Sequence, residues 1–374
     1  MPGNGFYSLI CEAIRHDRSG IVKSEFYIWS NKMNKAGRII SISPPHAIPG
    51  GEIIINCENF ELGAIGEYGC YFDGKAARIV GASANRLLVI VPENFDTAEV
   101  EVYLESGGDR SETKTVVVGE KLAGDLHIVA NPAVDPKDDA LILTRSGARG
   151  QQLPVTLFRL ETSGFLNEMP VEVLNPTGIA FDQAGGLYVT ARADGEVYRI
   201  NGDEEAVSYA SNLGVATGIA FDKNDSMFVG DRSGTIYRVP NFGNPESFAV
   251  LEPSVSAYHI AFGKDEKLYV AAPGLASFDA IYRVDKAGFD EVFYRGLGRP
   301  QGLAFDRDGN LYVAACLHGR HGIVKISETG REAELFVAGM NIVGLCFTRR
   351  GELVVATGDT VYSLPIGVHG VLLK

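Results

Sequence analysis

Between residues 39 and 118, short runs rich in Ile and Val alternate with turns that contain Pro and Gly. The runs EIIINC, RLLVIVP and AEVEVYL each have the length of a β-strand, and no helical period interrupts them. A segment with this pattern and length predicts a small antiparallel β-sandwich.

The remainder of the chain repeats one pattern. Each copy has an apolar run such as Gly-Ile-Ala-Phe-Asp, a turn, a second run such as Leu-Tyr-Val, and two further strands. A four-stranded sheet cannot cover both of its apolar faces alone, so the copies are expected to stack radially. This pattern predicts a six-bladed β-propeller over residues 119–374. The six copies begin 40 to 47 residues apart, at Ala130, Thr177, Thr217, Tyr258, Gln301 and Val343.

The predicted fold class is therefore all-β, with a small immunoglobulin-like sandwich followed by a six-bladed β-propeller. Residues 1–38 hold six basic and three acidic residues and show no convincing period, so we expect a poorly ordered N-terminal extension. Either the segment before the first copy or the C-terminal tail supplies the outer strand of the last blade. The Asp that recurs in the first turn of a copy is expected to accept backbone N–H bonds, at Asp182, Asp222 and Asp306.

Two resemblances to known families follow from these motifs. The Pro- and Gly-rich turn after Ser43 and the run from Tyr71 to Ala77 resemble IPT/TIG immunoglobulin-like domains, over about residues 39–118. This resemblance implies a spacer or an interaction module through which a protein partner binds. The repeats resemble the propellers of the NHL-repeat group and of the gluconolactonase (senescence-marker-protein) family.

The gluconolactonase resemblance implies a divalent metal in the central channel, held by Glu, Asn and Asp side chains just before the Gly of the innermost strands. The six equivalent positions here are the starting residues of the copies given above, and none is a carboxylate. A hard cation needs anionic oxygen ligands to offset its lost hydration. We therefore predict no cofactor, with calcium or zinc only if the chain is a gluconolactonase-like hydrolase of sugar lactones.

Charge and cysteine content narrow the class of protein further. The formal net charge of −13 argues against general nucleic-acid binding, which needs a surplus of Lys and Arg. The five Cys are scattered, without a Cys-x-x-Cys pair, which is typical of a reducing compartment rather than a disulfide framework. No apolar run has the length of a membrane-spanning helix, so we predict a cytoplasmic protein without a membrane partner.

The turns between the second and third strands of the copies are rich in Arg, so they are locally positive in a chain of negative net charge. They should converge at the mouth of the propeller channel, where Arg side chains offer bidentate donors to carboxylate or phosphate. We predict that this mouth binds a small anionic or sugar-derived molecule. The predicted ligand-binding residues are Arg145, Arg149, Arg192, Asp231, Arg232, Tyr258, His259, Gln301 and Arg320.

Alternative interpretations remain at this stage. Cys316, His318 and His321 have ligand types suited to zinc, although no fourth ligand is evident nearby. Asp231 and His259 are candidates for an acid–base pair in the hydrolysis of a lactone or an ester. The third interpretation is a protein-interaction platform, as in many NHL propellers.

Overall fold

A computed structural model describes residues 10–15, 23–28, 34–63, 66–147, 151–202, 205–240, 244–275 and 278–371. All regular secondary structure in these ranges is β-strand, and no helix there is long and apolar enough to cross a membrane. The cytoplasmic location stays a prediction.

The N-terminal region contains an antiparallel hairpin of β1 (Ile10–Arg15) and β2 (Lys23–Ile28). The expectation of a poorly ordered extension falls largely on residues 1–9, 16–22 and 29–33, which lie outside the described residues.

The next segment forms two sheets that face each other. One sheet has the order β3-β5-β9-β8, and the other runs β4-β12-β10-β6-β7. Alternate residues of these strands point inward, and Ile55, Phe72 and Val102 are fully buried between the sheets. The strands are β3 (Arg38–Ser43), β4 (His46–Ala47), β5 (Glu52–Glu58), β6 (Tyr68–Phe72), β7 (Lys75–Ala76), β8 (Arg78–Ser83), β9 (Arg86–Ile90), β10 (Glu99–Ser106), β11 (Asp109–Arg110) and β12 (Lys114–Val118).

The repeats form six antiparallel meanders of four strands, which we call blades 1 to 6 in chain order. Blade 1 comprises β14–β17, and blades 2 to 5 follow with four strands each. The strands are β13 (Glu120–Ala123), β14 (Ala133–Val134), β15 (Leu141–Thr144), β16 (Leu157–Leu160), β17 (Leu166–Met169), β18 (Pro176–Phe181), β19 (Leu187–Ala191), β20 (Glu196–Asn201), β21 (Glu205–Ala210), β22 (Ala216–Phe221), β23 (Met227–Asp231), β24 (Thr235–Val239), β25 (Glu246–Val250), β26 (His259–Phe262), β27 (Leu268–Ala271), β28 (Asp279–Val284), β29 (Asp290–Gly298), β30 (Leu303–Phe305), β31 (Leu311–Leu317), β32 (Arg320–Ile326), β33 (Ala333–Ala338), β34 (Ile342–Phe347), β35 (Leu353–Thr357) and β36 (Val361–Leu364).

The first strands of the blades contact one another in a closed cycle. β14, β18, β22, β26, β30 and β34 are successive neighbours, and β34 in turn contacts β14. Blade 6 takes its outer strand from β13, which pairs with β36, so the segment before the first copy closes the ring. The chain is thus an all-β protein with a β-propeller.

The repeated sequence positions hold the blades together. Phe221 packs against Tyr188 of the preceding blade, with ring centroids 5.2 Å apart, and the same contact joins later blades. The predicted turn role of the recurrent Asp is confirmed, since Asp182, Asp222 and Asp306 each accept a backbone N–H from their own turn.

The sandwich is attached to blade 5 through shared strands. β4 pairs in parallel with both β12 of the sandwich and β33 of the propeller. Ala338, at the end of β33, is fully buried in the core of the sandwich. The two parts therefore share a continuous sheet and a common apolar contact.

Candidate functional site

The propeller has two faces that the strand order distinguishes. We call the face with the turns between second and third strands the loop face; the connections between blades also lie there. The opposite face carries the turns between first and second strands, with Asp182, Asp222 and Asp306, and we call it the Asp-turn face. The innermost strands surround the channel between them.

Close backbone contacts narrow the channel near the loop face. A Cβ added to Gly178 would lie 2.3 Å from the carbonyl oxygen of Thr217, and one added to Gly218 would lie equally close to that of Tyr258. These contacts require glycine because no side chain fits between adjacent innermost strands at this level.

Asn131 precedes the innermost strand of blade 1 and bonds to two other blades. Its Nδ2 donates a hydrogen bond to the carbonyl of Leu303 in blade 5 at 2.9 Å, and its Oδ1 accepts one from the backbone N–H of Leu345 in blade 6 at 3.0 Å. One amide thus links three successive blades where their innermost strands begin.

The positions that the gluconolactonase resemblance implies for metal ligands serve the scaffold instead. Thr177 Oγ1 lies 2.9 Å from Thr190 Oγ1, and Thr217 Oγ1 accepts a hydrogen bond from the backbone N–H of Tyr258 at 2.9 Å. The fully buried Tyr258 donates its hydroxyl to the carbonyl of Glu252. These neutral, bonded groups do not fit a divalent cation, which needs anionic oxygens.

His259 is buried at the start of β26, the innermost strand of blade 4. Its exposed fraction is 5%, and burial lowers its pKa to about 4, so the imidazole is neutral near pH 7. Its Nε2 has no hydrogen-bond partner within the described ranges. Gln301 is half-buried in the following blade, where its backbone N–H donates to the carbonyl of Ala314.

Two of the predicted arginines lie near each other on the loop face. A guanidinium nitrogen of the half-buried Arg192 donates to the carbonyl of Gly147 at 3.1 Å, and Nε of the exposed Arg232 donates to that of Ser254 at 3.2 Å. Burial and the positive charge of Arg232 both lower the pKa of Arg192. The two charges therefore repel each other.

The acidic residues beside these arginines do not neutralise them. Asp231 is buried and accepts hydrogen bonds from the backbone N–H groups of Val215 and Ser233. Asp194 instead accepts a hydrogen bond from the Tyr198 hydroxyl at 2.9 Å. Over the part of the chain that the structure describes, neither Arg192 nor Arg232 has a carboxylate within 4.0 Å.

The other predicted arginines have different surroundings. Arg145 is half-buried at the end of β15, on the same face, and Arg149 lies outside the described residues. Arg320 is committed to the contact between sandwich and propeller, because it donates to the carbonyls of Ser43 and Glu52 at 3.0 Å each. The prediction that Arg320 joins Arg192 and Arg232 in a ligand site is therefore wrong, because its guanidinium bonds to the sandwich.

The zinc interpretation of the blade 5 hairpin finds no support in its geometry. Cys316 lies opposite His321 in the β31–β32 register, and the exposed His318 occupies the two-residue turn with a φ of 50°. No three His, Cys, Asp or Glu side chains form a metal-binding group in the described ranges. The absence of a cofactor stays a prediction.

A large cavity opens on the Asp-turn face, opposite the predicted ligand site. Its volume is about 760 Å³, and its walls come from the innermost strands, including Ile179, Ile219 and Ile260, and from other strands of blades 3 and 4, including Phe228 and Phe248. None of the predicted ligand-binding residues lines it. The repeated Gly-Ile-Ala-Phe run indicates an apolar channel lining in the sequence, but the sequence alone does not show which end of the channel is open.

No family model and no curated protein sequence matches the chain. A gluconolactonase from Xanthomonas campestris is 15% identical over 66% of this chain and 88% of that chain, with a TM-score of 0.53. An auxiliary nutrient binding protein from Bacteroides ovatus is 14% identical over 89% of this chain and 98% of that chain, with a TM-score of 0.51.

A second auxiliary nutrient binding protein, from Bacteroides thetaiotaomicron, is 13% identical over 88% of this chain and 98% of that chain, with a TM-score of 0.51. At these identities the likeness concerns the fold alone. The IPT/TIG and NHL resemblances stay predictions. The chain shares the β-propeller fold of gluconolactonase-like proteins.

Proposed function

We propose that this propeller binds a small anionic or sugar-derived molecule on its loop face, with Arg192 and Arg232 as the principal ligands. The observation that carries the proposal is two guanidinium groups on adjacent blades of the loop face, neither with a carboxylate partner in the described ranges. Arg145 lies on the same face and is a further candidate.

The electrostatics favour an anion at this position. Each guanidinium spends one donor on a backbone carbonyl and keeps others for a ligand. A bound carboxylate or phosphate would relieve the repulsion between the two charges and accept bidentate hydrogen bonds. The fold also occurs in proteins described as nutrient binding and as gluconolactonase, which agrees with a small ligand.

The proposal is tested by thermal stabilisation of the whole chain. Gluconate, glucuronate and a hexose monophosphate serve as probes, and neutral glucose is the reference. A ligand at about 100 times its Kd should add about 2.7 kcal/mol to the unfolding free energy. We expect Arg192→Ala with Arg232→Ala to remove the stabilisation, whereas the exposed Arg295→Ala should keep it. Stabilisation that survives in the double variant contradicts the proposal.

Lactone hydrolysis is the alternative, and the site residues give it less support. Asp231 is engaged by two backbone N–H groups of its turn, and His259 is buried, so neither faces a ligand as an acid–base pair. Aldonolactone turnover that a chelator abolishes would favour the lactonase. A stable protein partner in pull-down, without any small-ligand effect, would favour the interaction platform.

A further inference from the structure

The cavity on the Asp-turn face has the size and shape of a binding site. Pockets for small molecules commonly measure about 300 to 1,000 Å³, and this one measures about 760 Å³. The cavity is lined by Asp222, Lys223 and Asn224 of a turn between first and second strands, so entry is from the Asp-turn face. Val371 forms part of the mouth, where its backbone N–H donates to the carbonyl of Phe305 at 3.0 Å.

The walls of the cavity select an apolar occupant. Every lining residue that belongs to an innermost strand is apolar or a cysteine, and Ala180, Ala220 and Ala261 leave space between the larger side chains. Asn131 also lines the cavity, but both ends of its amide are already bonded to backbone groups. A polar molecule would find no side-chain partner among these strand residues, whereas an apolar one gains from leaving water.

The rim has a small positive surplus, because Lys223, Arg238, Lys286 and Arg349 face three carboxylates, Asp222, Glu266 and Asp285. Arg349 is also 3.6 Å from the carboxylate of Asp139, outside the cavity. Lys223 and Lys286 both bind the single carboxylate of Glu266, and the two ammonium groups together hold the pKa of Glu266 below its ordinary value. Arg238 lies 3.4 Å from Ser226 Oγ, and no carboxylate of the described residues is within 4.0 Å of it.

The remaining rim carboxylates are engaged by their own turns. Asp222 Oδ1 accepts the backbone N–H groups of Asn224 and Ser226 at 2.8 Å each. Asp285 Oδ1 accepts those of Ala287 and Phe289 at 2.9 and 3.0 Å. These hydrogen bonds hold both carboxylates at their turns, where they keep their negative charge. The surplus that favours an anion at the rim is therefore one positive charge.

We infer that the cavity is a second ligand site, which takes a monoanionic amphiphile with its apolar body in the channel and its acid group at the rim. The body lies against the innermost strands, and the head lies between Lys223, Lys286 and Arg238. This site is on the opposite face from Arg192 and Arg232, so it does not depend on the function proposed above.

Fluorescence titration of the whole chain with a dansyl-labelled fatty acid tests this inference. We expect saturable binding of one molecule per chain, with displacement by decanoate. Decyltrimethylammonium should compete less well, because its head is repelled by the rim. Gluconate should leave the signal unchanged, since it has no apolar body, and this separates the site from the loop face.

Two pairs of variants locate the probe. Ala261→Phe fills the channel and should weaken binding more than about tenfold, whereas Ala76→Phe on the exposed sandwich edge should have no effect. Lys286→Glu changes the charge of the rim without altering the core, and it should weaken the binding of decanoate about two- to fivefold. The control Lys114→Glu, at an exposed position of the sandwich, should leave this binding unchanged.

The outcomes that would overturn the inference are direct. Absence of saturable binding refutes the site, and so does full affinity in a folded Ala261→Phe protein. If that variant does not fold, equal affinity of the Lys286→Glu and wild-type proteins for decanoate refutes the assigned position of the head. Equal competition by decanoate and decyltrimethylammonium refutes the preference for an anion.

Discussion

Replacing Asn131 by alanine should weaken the closure of the ring. The side chain bonds the carbonyl of Leu303 at 2.9 Å and the N–H of Leu345 at 3.0 Å, so one substitution removes two hydrogen bonds between blades. A typical hydrogen bond contributes about 0.5–1.5 kcal/mol net, and the site is half-buried, so water can partly replace the amide. We therefore expect the unfolding free energy to fall by about 1–3 kcal/mol.

Urea denaturation of the wild-type and Asn131→Ala proteins measures this change. Asn224→Ala is the matched control, because that side chain is exposed in a turn. Asn131→Asp keeps an acceptor for Leu345 but loses the donor to Leu303, and should retain part of the stability. If Asn131→Ala unfolds at the same urea concentration as Asn224→Ala, the amide does not hold the three blades together, and the reasoning fails.

Two further predictions concern other parts of the molecule. His259 has a pKa of about 4 instead of 6.5; the unfolded chain therefore binds a proton between pH 6.5 and pH 4 that the folded chain does not. The unfolding free energy should fall by roughly 3 kcal/mol over that range, and His259→Gln should flatten this pH dependence; an unchanged slope in denaturation curves would disprove the assignment. Arg320→Ala should loosen the sandwich from blade 5, which limited proteolysis detects as faster cleavage of the sandwich, whereas the exposed Arg331→Ala should match the wild type.

The arginines illustrate how identical residue types acquire different roles. Arg192 and Arg320 both lie at a turn between the second and third strands of a blade. Arg192 follows β19, and Arg320 begins β32. Arg192 lies on the blade next to that of Arg232, whose positive charge, with burial, lowers the pKa of Arg192. Arg320 is covered by the sandwich and bonds its backbone. The sequence places both residues on the loop face, but only the docking of the sandwich on blade 5 separates them.

The repeated pattern in the sequence was sufficient to predict the β-propeller. The alternation of apolar residues marks each strand, and the recurrent Gly and Asp mark the close contact and the turn at each innermost strand. These signals are local, because a strand period and a turn depend on residues close together in the chain. The turn bonds of Asp182, Asp222 and Asp306 confirm this reasoning.

The tertiary structure alone decided which end of the channel is open and which charges remain unpaired. Asn131 bonds to Leu303 and Leu345, which are 172 and 214 residues away in the chain, and so links three blades. Arg320 finds the carbonyl of Ser43 at a separation of 277 residues. Such contacts depend on how whole blades and the sandwich pack, and the alternation of residues along a single strand carries no information about that packing.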